Sequence, residues 1–467
     1  MHIILQGGGS LETLEKISAL VWGWPTLVVF SAVGIFLTWR SGAIQARHLD
    51  ACLGGTIKRF RTSSGGSGGM SPFQALATAL GGTVGTGNIA GVTLAISLGG
   101  PGVILWMWVA AFIGMATKYA EVLLAVKFRE RNKDGERVGG PMYYIKNGLG
   151  RIYSPLAYIF AAAGALGAFG MGSAVQSGEI RSALSTFCKT LGIRVGDGFP
   201  LAVGLVIALL AAAVLLGGLK RLGSVTGLLV PFMSLAYIVS CLAVLIVNCD
   251  RIIPCLANIV ACALEPGATL GACIGWGFRR GVFSNEAGLG SSPIAHAAAT
   301  ERDCVRQGMA GVFEVFTDTI VICTVTGLTL LVSGVMDVGE PTTARNAAAL
   351  ATVFGDNGAA VIIAVCITLF AFSSLLSWGF YGARCCEFLL GDKPLTAYRI
   401  VFCTAALIGA IAHLDAVWLL SDILNALMAA PNLIALVALS GTVRSETQRF
   451  FAGKKHSKHM PSHSLNA

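Results

Sequence analysis

Apolar residues fill long stretches of this chain, separated by short segments rich in Lys, Arg and Gly. A helix needs ~20 mostly apolar residues to cross about 30 Å of hydrocarbon, and roughly eleven windows reach that length. To within a few residues they predict spans at 17–38, 71–98, 101–126, 153–180, 199–217, 224–248, 268–299, 308–335, 358–388, 396–413 and 416–440. Two windows are interrupted by glycine, at Gly81-Gly82-Thr83-Val84-Gly85-Thr86-Gly87-Asn88 and at Gly281-Val282-Phe283-Ser284-Asn285-Glu286-Ala287-Gly288-Leu289-Gly290. Inside a bilayer every backbone N–H and C=O needs a partner. A helix is therefore unwound there only where the freed groups meet protein, water, an ion or a substrate. Paired broken helices in matching places point to a transporter's binding site.

Setting the first span aside as an extra N-terminal helix leaves two sets of five, over 71–248 and 268–440, each opened by a broken helix. Five is odd, so consecutive units run in opposite senses through the membrane. The expected fold is an all-α polytopic membrane protein with about eleven transmembrane helices, a five-plus-five inverted repeat with one extra helix. One transporter domain would cover 1–440, with a cytoplasmic tail over 441–467. The first span is longer than a secretory apolar segment, follows Glu12 and Glu15 and precedes Arg40 and Arg47, so it reads as a mature helix.

Composition agrees: 55% of the 467 residues are hydrophobic, 12% are charged and the mean hydropathy is +0.74. Placing the N-terminus outside and the C-terminus in the cytoplasm puts most of the 33 Lys and Arg in cytoplasmic segments. The net +9 is then loop charge, and no nucleic-acid partner is implied. The segment 40–70 joins a stretch from Ala43 to Phe60, read either as an amphipathic surface helix or as a basic loop, to a flexible Gly/Ser link over 63–69. The polar basic run from Lys454 to His459 is expected to be disordered. Thirteen cysteines form no CxxC or zinc spacing, and Cys249, Cys255 and Cys262 are the candidates for a disulfide.

The candidate chemistry lies in the breaks. Gly85, Gly87, Thr83, Thr86 and Asn88 form a binding segment, because glycine lets backbone approach a ligand and Thr and Asn add polar groups. In the second break, Asn285 and the backbone near Gly288 read as substrate contacts, whereas Arg279, Arg280 and Glu286 read as a locking ion pair. Opposed half-helix ends suit the carboxylate and the ammonium of a zwitterion, with a cation alongside. Ser373 and Ser374 precede Trp378 by about one turn. They are either hard ligands beside an indole-closed pocket or hydroxyls bonded to their own helix. Gln176 reaches a ligand or bridges helices, and Lys118 and Glu121, spaced i,i+3, pair structurally. Asp318 has a proton or gating role, or bonds to Thr317, Thr319 or a neighbouring helix.

At Gly85-Thr86-Gly87-Asn88-Ile89-Ala90-Gly91-Val92, Gly99-Gly100-Pro101-Gly102, Ala116-Thr117-Lys118-Tyr119-Ala120-Glu121, Gly139-Gly140-Pro141-Met142-Tyr143-Tyr144 and Arg280 to Ser291, the chain closely resembles the alanine or glycine:cation symporters, often called sodium:alanine symporters. The resemblance covers nearly the whole chain. It implies the amino-acid/polyamine/organocation superfamily fold and Na⁺-driven uptake of alanine or glycine, with H⁺ coupling in some members and no cofactor. It places substrate contacts on the first break, Gln176, Asn285, Ser374 and Trp378. By superfamily analogy it places a Na⁺ site on the carbonyls of Gly81, Gly82 and Thr83 with Ser373 and Ser374. Glu179 departs from the family pattern and bears on selectivity. The expected protein is a symporter in the bacterial inner membrane whose partners are a small neutral amino acid, Na⁺ and the lipid bilayer. A proton-coupled carrier of different selectivity and an ion channel are the alternatives. No nucleophile–base pair suggests an enzyme.

Overall fold

Each apolar window folds into helix, ended where capping or glycine allows. The computed structural model describes residues 8–60, 69–266, 268–337, 342–412 and 415–458. Among them, seven helices are long and apolar enough to cross a membrane, and eight if the bent pair Pro72–Thr83 and Thr86–Gly99 is one span. Phe199–Leu215 and Leu395–Ile411 are shorter apolar helices at two further windows. The seventh window holds Ala268–Asn285, then irregular chain, then Pro293–Ala297. Length and composition thus establish the polytopic all-α class without fixing the number of crossings at eleven.

The central element is the Val103–Lys127 helix, buried all round from Gly114 to Val126. Small residues let its neighbours approach. Gly308 and Gly311 of Cys304–Val315 lie against Tyr119 and Lys118, and Gly277 and Gly281 of Ala268–Asn285 lie against Trp106 and Ala110. Polar residues kept at this depth are thereby enclosed by protein.

The N-terminal helices Gly8–Val21 and Trp24–Arg40 are packed into this assembly. Trp22, 2% exposed, donates its indole N–H to the carbonyl of Asp422 at 3.0 Å, and its ring lies 4.3 Å from that of Phe283. The extra helix therefore braces the second broken helix. Trp22→Phe keeps the ring contact and loses one hydrogen bond, so it should cost about 1 kcal/mol, measured as a small drop in thermal midpoint in detergent. A loss as large as full truncation would show that the bond carries more than its own energy.

Ile44–Arg47 and Leu49–Phe60 are helical, as an amphipathic surface segment requires, and the second packs against Cys304–Val315. Of the Gly/Ser link, 63–68 lies outside the described residues. The expectation of a disordered tail needs correction, because Ser440–Lys458 is a helix; His459 lies outside the described residues. The disulfide candidates are also corrected. Cys249, Cys255 and Cys262 are free and share one amphipathic helix, Cys249–Leu264, that the charge and length pattern hid. Six or seven helical residues advance about 9–10 Å, beyond the roughly 7 Å Cα separation that a disulfide spans. π-helical turns at Ala168–Ala174 and Phe316–Cys323 interrupt two other spans, just before Gln176 and around Asp318. Such turns often accompany functional sites.

Candidate functional site

Ser71 and Gln74 form a capping box that starts the first broken helix: the Ser71 hydroxyl accepts from the Gln74 N–H at 3.1 Å, and the Gln74 side chain accepts from the Ser71 N–H at 3.0 Å. The helix stops at Val84, whose ψ of 93° leaves the helical region, and Gly85 is extended. A short turn over Thr86–Asn88 leads into Ala90–Gly99, with a 59° bend between the halves. Asn88 is fully buried. Its Oδ1 accepts from the Gly85 N–H at 3.0 Å, and its Nδ2 donates to Asp318 Oδ1 at 2.7 Å and to Ser284 Oγ at 3.0 Å. One amide side chain therefore ties both breaks to Asp318, which also accepts from Ser284 and Thr319 at 2.7 and 2.8 Å. Of the alternatives for Asp318, hydrogen bonding to Thr319 and a neighbouring helix is observed.

The second break starts after Asn285 and turns through positive φ at Glu286 (52°), Gly288 (99°) and Gly290 (81°). Left-handed backbone at Glu286 is unfavourable for a side chain and persists only when its surroundings fix it. Here Lys118 donates to its carbonyl at 3.3 Å and Ser291 donates to its carboxylate. The expected lock between Glu286 and Arg279 or Arg280 is therefore replaced. The left-handed turn takes Glu286 out of the helical register of the two arginines, turning its carboxylate to Ser291 and its carbonyl to Lys118. Asn285 Oδ1 accepts from the Ala287 N–H at 3.0 Å, while its Nδ2 donates to Thr319 at 3.2 Å. The Gly288 N–H donates to Glu121 at 3.0 Å and its carbonyl accepts from Asn432 at 2.8 Å.

Behind this break sits a buried charge cluster. Lys118 Nζ lies 3.9 Å from Glu121 and 3.5 Å from Glu314, and it donates to Ser292 at 2.6 Å. His296 bonds Glu314 at 2.9 Å and Gln307 at 2.8 Å. The i,i+3 pairing of Lys118 with Glu121 was legible in sequence; Glu314, His296 and Ser292 were not.

A cavity of about 400 Å³ lies between the breaks. Gly82, Thr83, Gly85, Thr86 and Gly87 line it from the first break, Gln176 from the span after the π-helical turn, and Ser374 and Trp378 from the long Thr342–Leu390 helix. Asn88, Asn285 and Gly288 lie outside its lining, held by the protein contacts above. Of the residues considered for Na⁺, Gly81 directs its carbonyl to Ser373 Oγ at 3.3 Å. The Ser374 hydroxyl, buried and against Gly85, makes no hydrogen bond to protein. Gln176 Oε1 is likewise buried and unpartnered, while its Nε2 donates to the Met171 carbonyl at 3.1 Å. Buried acceptors without partners are rare and call for a ligand or water. Several lining residues were not foreseen as such: Arg279, Arg280, Glu286, Trp276, Phe283, Trp418 and Asp422. Asp422, a lone carboxylate in an apolar span, is the one that sequence could have flagged.

The sodium:alanine symporter family model matches residues 9–464. The chain belongs to that family. The symporter is 44% identical over 456 residues to the sodium/alanine symporter AgcS of Methanococcus maripaludis, covering 94% of this chain and 97% of AgcS. It is 37% identical to the amino-acid carrier protein AlsT of Bacillus subtilis, covering 88% and 86%. A manganese transporter structure from Eremococcus coleocola superposes with a TM-score of 0.52 at 14% identity, covering 81% and 77%, a likeness of fold alone.

The symporter's cavity reaches from Gly82 and Thr83 at the first break along Thr86–Gly99 and Ala268–Asn285. Elsewhere the main chains join: Met70 donates to the Ala298 carbonyl at 3.0 Å and accepts from the Thr300 N–H at 2.8 Å. Arg129 reinforces the seam by donating to the carbonyls of Ala297, Ala299 and Glu301 at 3.2, 2.8 and 2.5 Å. The main chains are thus joined at the Met70 end of the first broken helix, away from the cavity-lining residues.

Proposed function

We propose that this cavity binds alanine or glycine together with Na⁺ and that the protein carries both inward as a symporter of the bacterial inner membrane. The observation that carries the reading is the pair of buried, unpartnered acceptors, Gln176 Oε1 and Ser374 Oγ, facing a cavity walled by the first break. Gln176 Oε1 suits the substrate ammonium. Carbonyls of Gly81, Gly82 and Thr83 with Ser373 and Ser374 supply the hard oxygen donors that Na⁺ prefers, and Trp378 closes the apolar wall. Asn88, Asn285 and Gly288 then act by holding the two breaks in register. An inverted repeat over 71–248 and 268–440, with the N-terminus outside, makes the cavity's side the exterior and the Met70 seam the cytoplasmic closure. Alternating access exchanges the two.

The test is uptake of labelled alanine into proteoliposomes under an imposed Na⁺ gradient, with glycine as competitor. Accumulation should require Na⁺, and Ser374→Ala should raise the half-saturating Na⁺ concentration by about tenfold, the effect of one lost ligand worth roughly 1.4 kcal/mol. Accumulation driven equally well by a pH gradient without Na⁺ would assign a proton-coupled carrier instead.

A further inference from the structure

The cations at membrane depth are almost all provided for. Lys118 sits among carboxylates, Arg384 is bound by Glu136 and Glu387, and Arg279 lies over Trp276 and Phe283 at 5.5 and 5.8 Å from the ring centroids. Arg280 differs in its place. Its Nε is buried without a partner, as are those of Arg40 and Arg181, but of these three only Arg280 lines the cavity, and among the described residues no hydrogen bond or carboxylate within ion-pair distance serves its guanidinium. Asp318, a neighbouring carboxylate, is engaged by Asn88, Ser284 and Thr319. The guanidinium lies flat against Gly87 and Gly91, two cavity-lining positions of the first broken helix where any Cβ would meet its Nη atoms. Glu179, Glu286 and Asp422 also line the cavity, but none of them lies within ion-pair distance of Arg280, so the guanidinium is a desolvated cation with its hydrogen-bond donors unmet, a position an entering anion would satisfy.

We propose that Arg280 is the receptor for the carboxylate of the transported amino acid. This rests on the reading that substrate occupies the cavity, and it names the group that decides substrate class. A guanidinium offers a planar fork matched to a carboxylate, which no ammonium or single hydroxyl reproduces. Gln176 Oε1, in the same lining, is a free acceptor, so the cavity holds both a cationic and an acceptor group, as the two charges of an α-amino acid require. The glycines at 87 and 91 are then the clearance that lets the fork lie beside the backbone of the first break. The carrier should discriminate by the carboxylate itself: a free α-carboxylate binds and its amide does not.

Binding to the full-length protein in detergent with Na⁺ present, followed by tryptophan fluorescence, tests this with alanine and alaninamide as ligands. The wild type should prefer alanine by roughly a hundredfold or more, as sites built around a buried polar partner reject analogues lacking it. Arg280→Gln should weaken alanine binding by about 30-fold or more while changing alaninamide binding less than about threefold, collapsing the ratio. Arg280→Lys and Gly91→Ala, which displaces the fork without removing it, should give intermediate ratios and serve if Arg280→Gln does not fold. A ratio that stays at the wild-type value in the variants that fold overturns the proposal. Gln176→Leu separates the two readings: if it leaves alanine affinity unchanged, the cavity assignment itself fails, whereas a weakened Gln176→Leu beside an unmoved Arg280 ratio removes only the arginine.

Discussion

Lys118→Met is expected to destabilise the folded protein by about 3–5 kcal/mol, enough to remove most of it from the membrane, because it strips the cation from a buried cluster of carboxylates. Lys118 and its acidic neighbours Glu121 and Glu314 are fully buried, and Lys118 also donates to Ser292 and to the Glu286 carbonyl on the two flanks of the second break. Removing the ammonium leaves negative charges in a low-dielectric interior and releases the left-handed turn at Glu286. Neutralising a carboxylate at the same time, as in Lys118→Met with Glu314→Gln, should recover part of the loss, since the pair shares one interaction and its effects are not additive. The comparison is thermal unfolding of the purified variants followed by size-exclusion profiles. A Lys118→Met protein with the wild-type midpoint would mean that the cluster is neutral in the native state and that the ammonium contributes nothing net.

The same cluster marks what the chain discloses before it folds. Spans are legible because hydrocarbon leaves the backbone no partner but itself, so each crossing must be written as a continuous apolar run. The breaks are legible because glycine crowding inside such a run has no purpose in a continuous helix. Lys118 and Glu121 can be paired on paper by helical spacing, but Glu314 and His296 reach them from other helices and carry no local signal. Glu286 shows the opposite difficulty: helical spacing suggested the arginines, and one residue at φ 52° re-aimed it. Cys249–Leu264 escaped notice because it is too short and too amphipathic to resemble a span. Asn88 and Asn285 could be recognised as polar groups within breaks, yet which way an amide points follows from packing. The structure directs Asn88 at Ser284 and Asp318, and Asn285 at Thr319, around the break.

That geometry makes Asn88 the position where a near-isosteric change should silence transport. Asn88→Leu keeps the branched shape, with somewhat more bulk, but leaves the Gly85 N–H without its acceptor and takes one donor from Asp318, groups buried beyond the reach of bulk water. Each unmet buried group costs about 1–3 kcal/mol. The penalty falls on the break itself, since the helices on either side keep their own hydrogen bonds and the Ser71–Gln74 cap. Alanine uptake in proteoliposomes should therefore fall at least about 100-fold while the protein still inserts and elutes as wild type, a separation expected when a mutation disturbs local geometry more than global packing. Asn88→Asp should be no better, because it brings a second carboxylate against Asp318 and the two cannot both ionise at that distance. If Asn88→Leu carries alanine at the wild-type rate, the first break does not need its tie to Asp318, and the two broken helices must be aligned by packing alone.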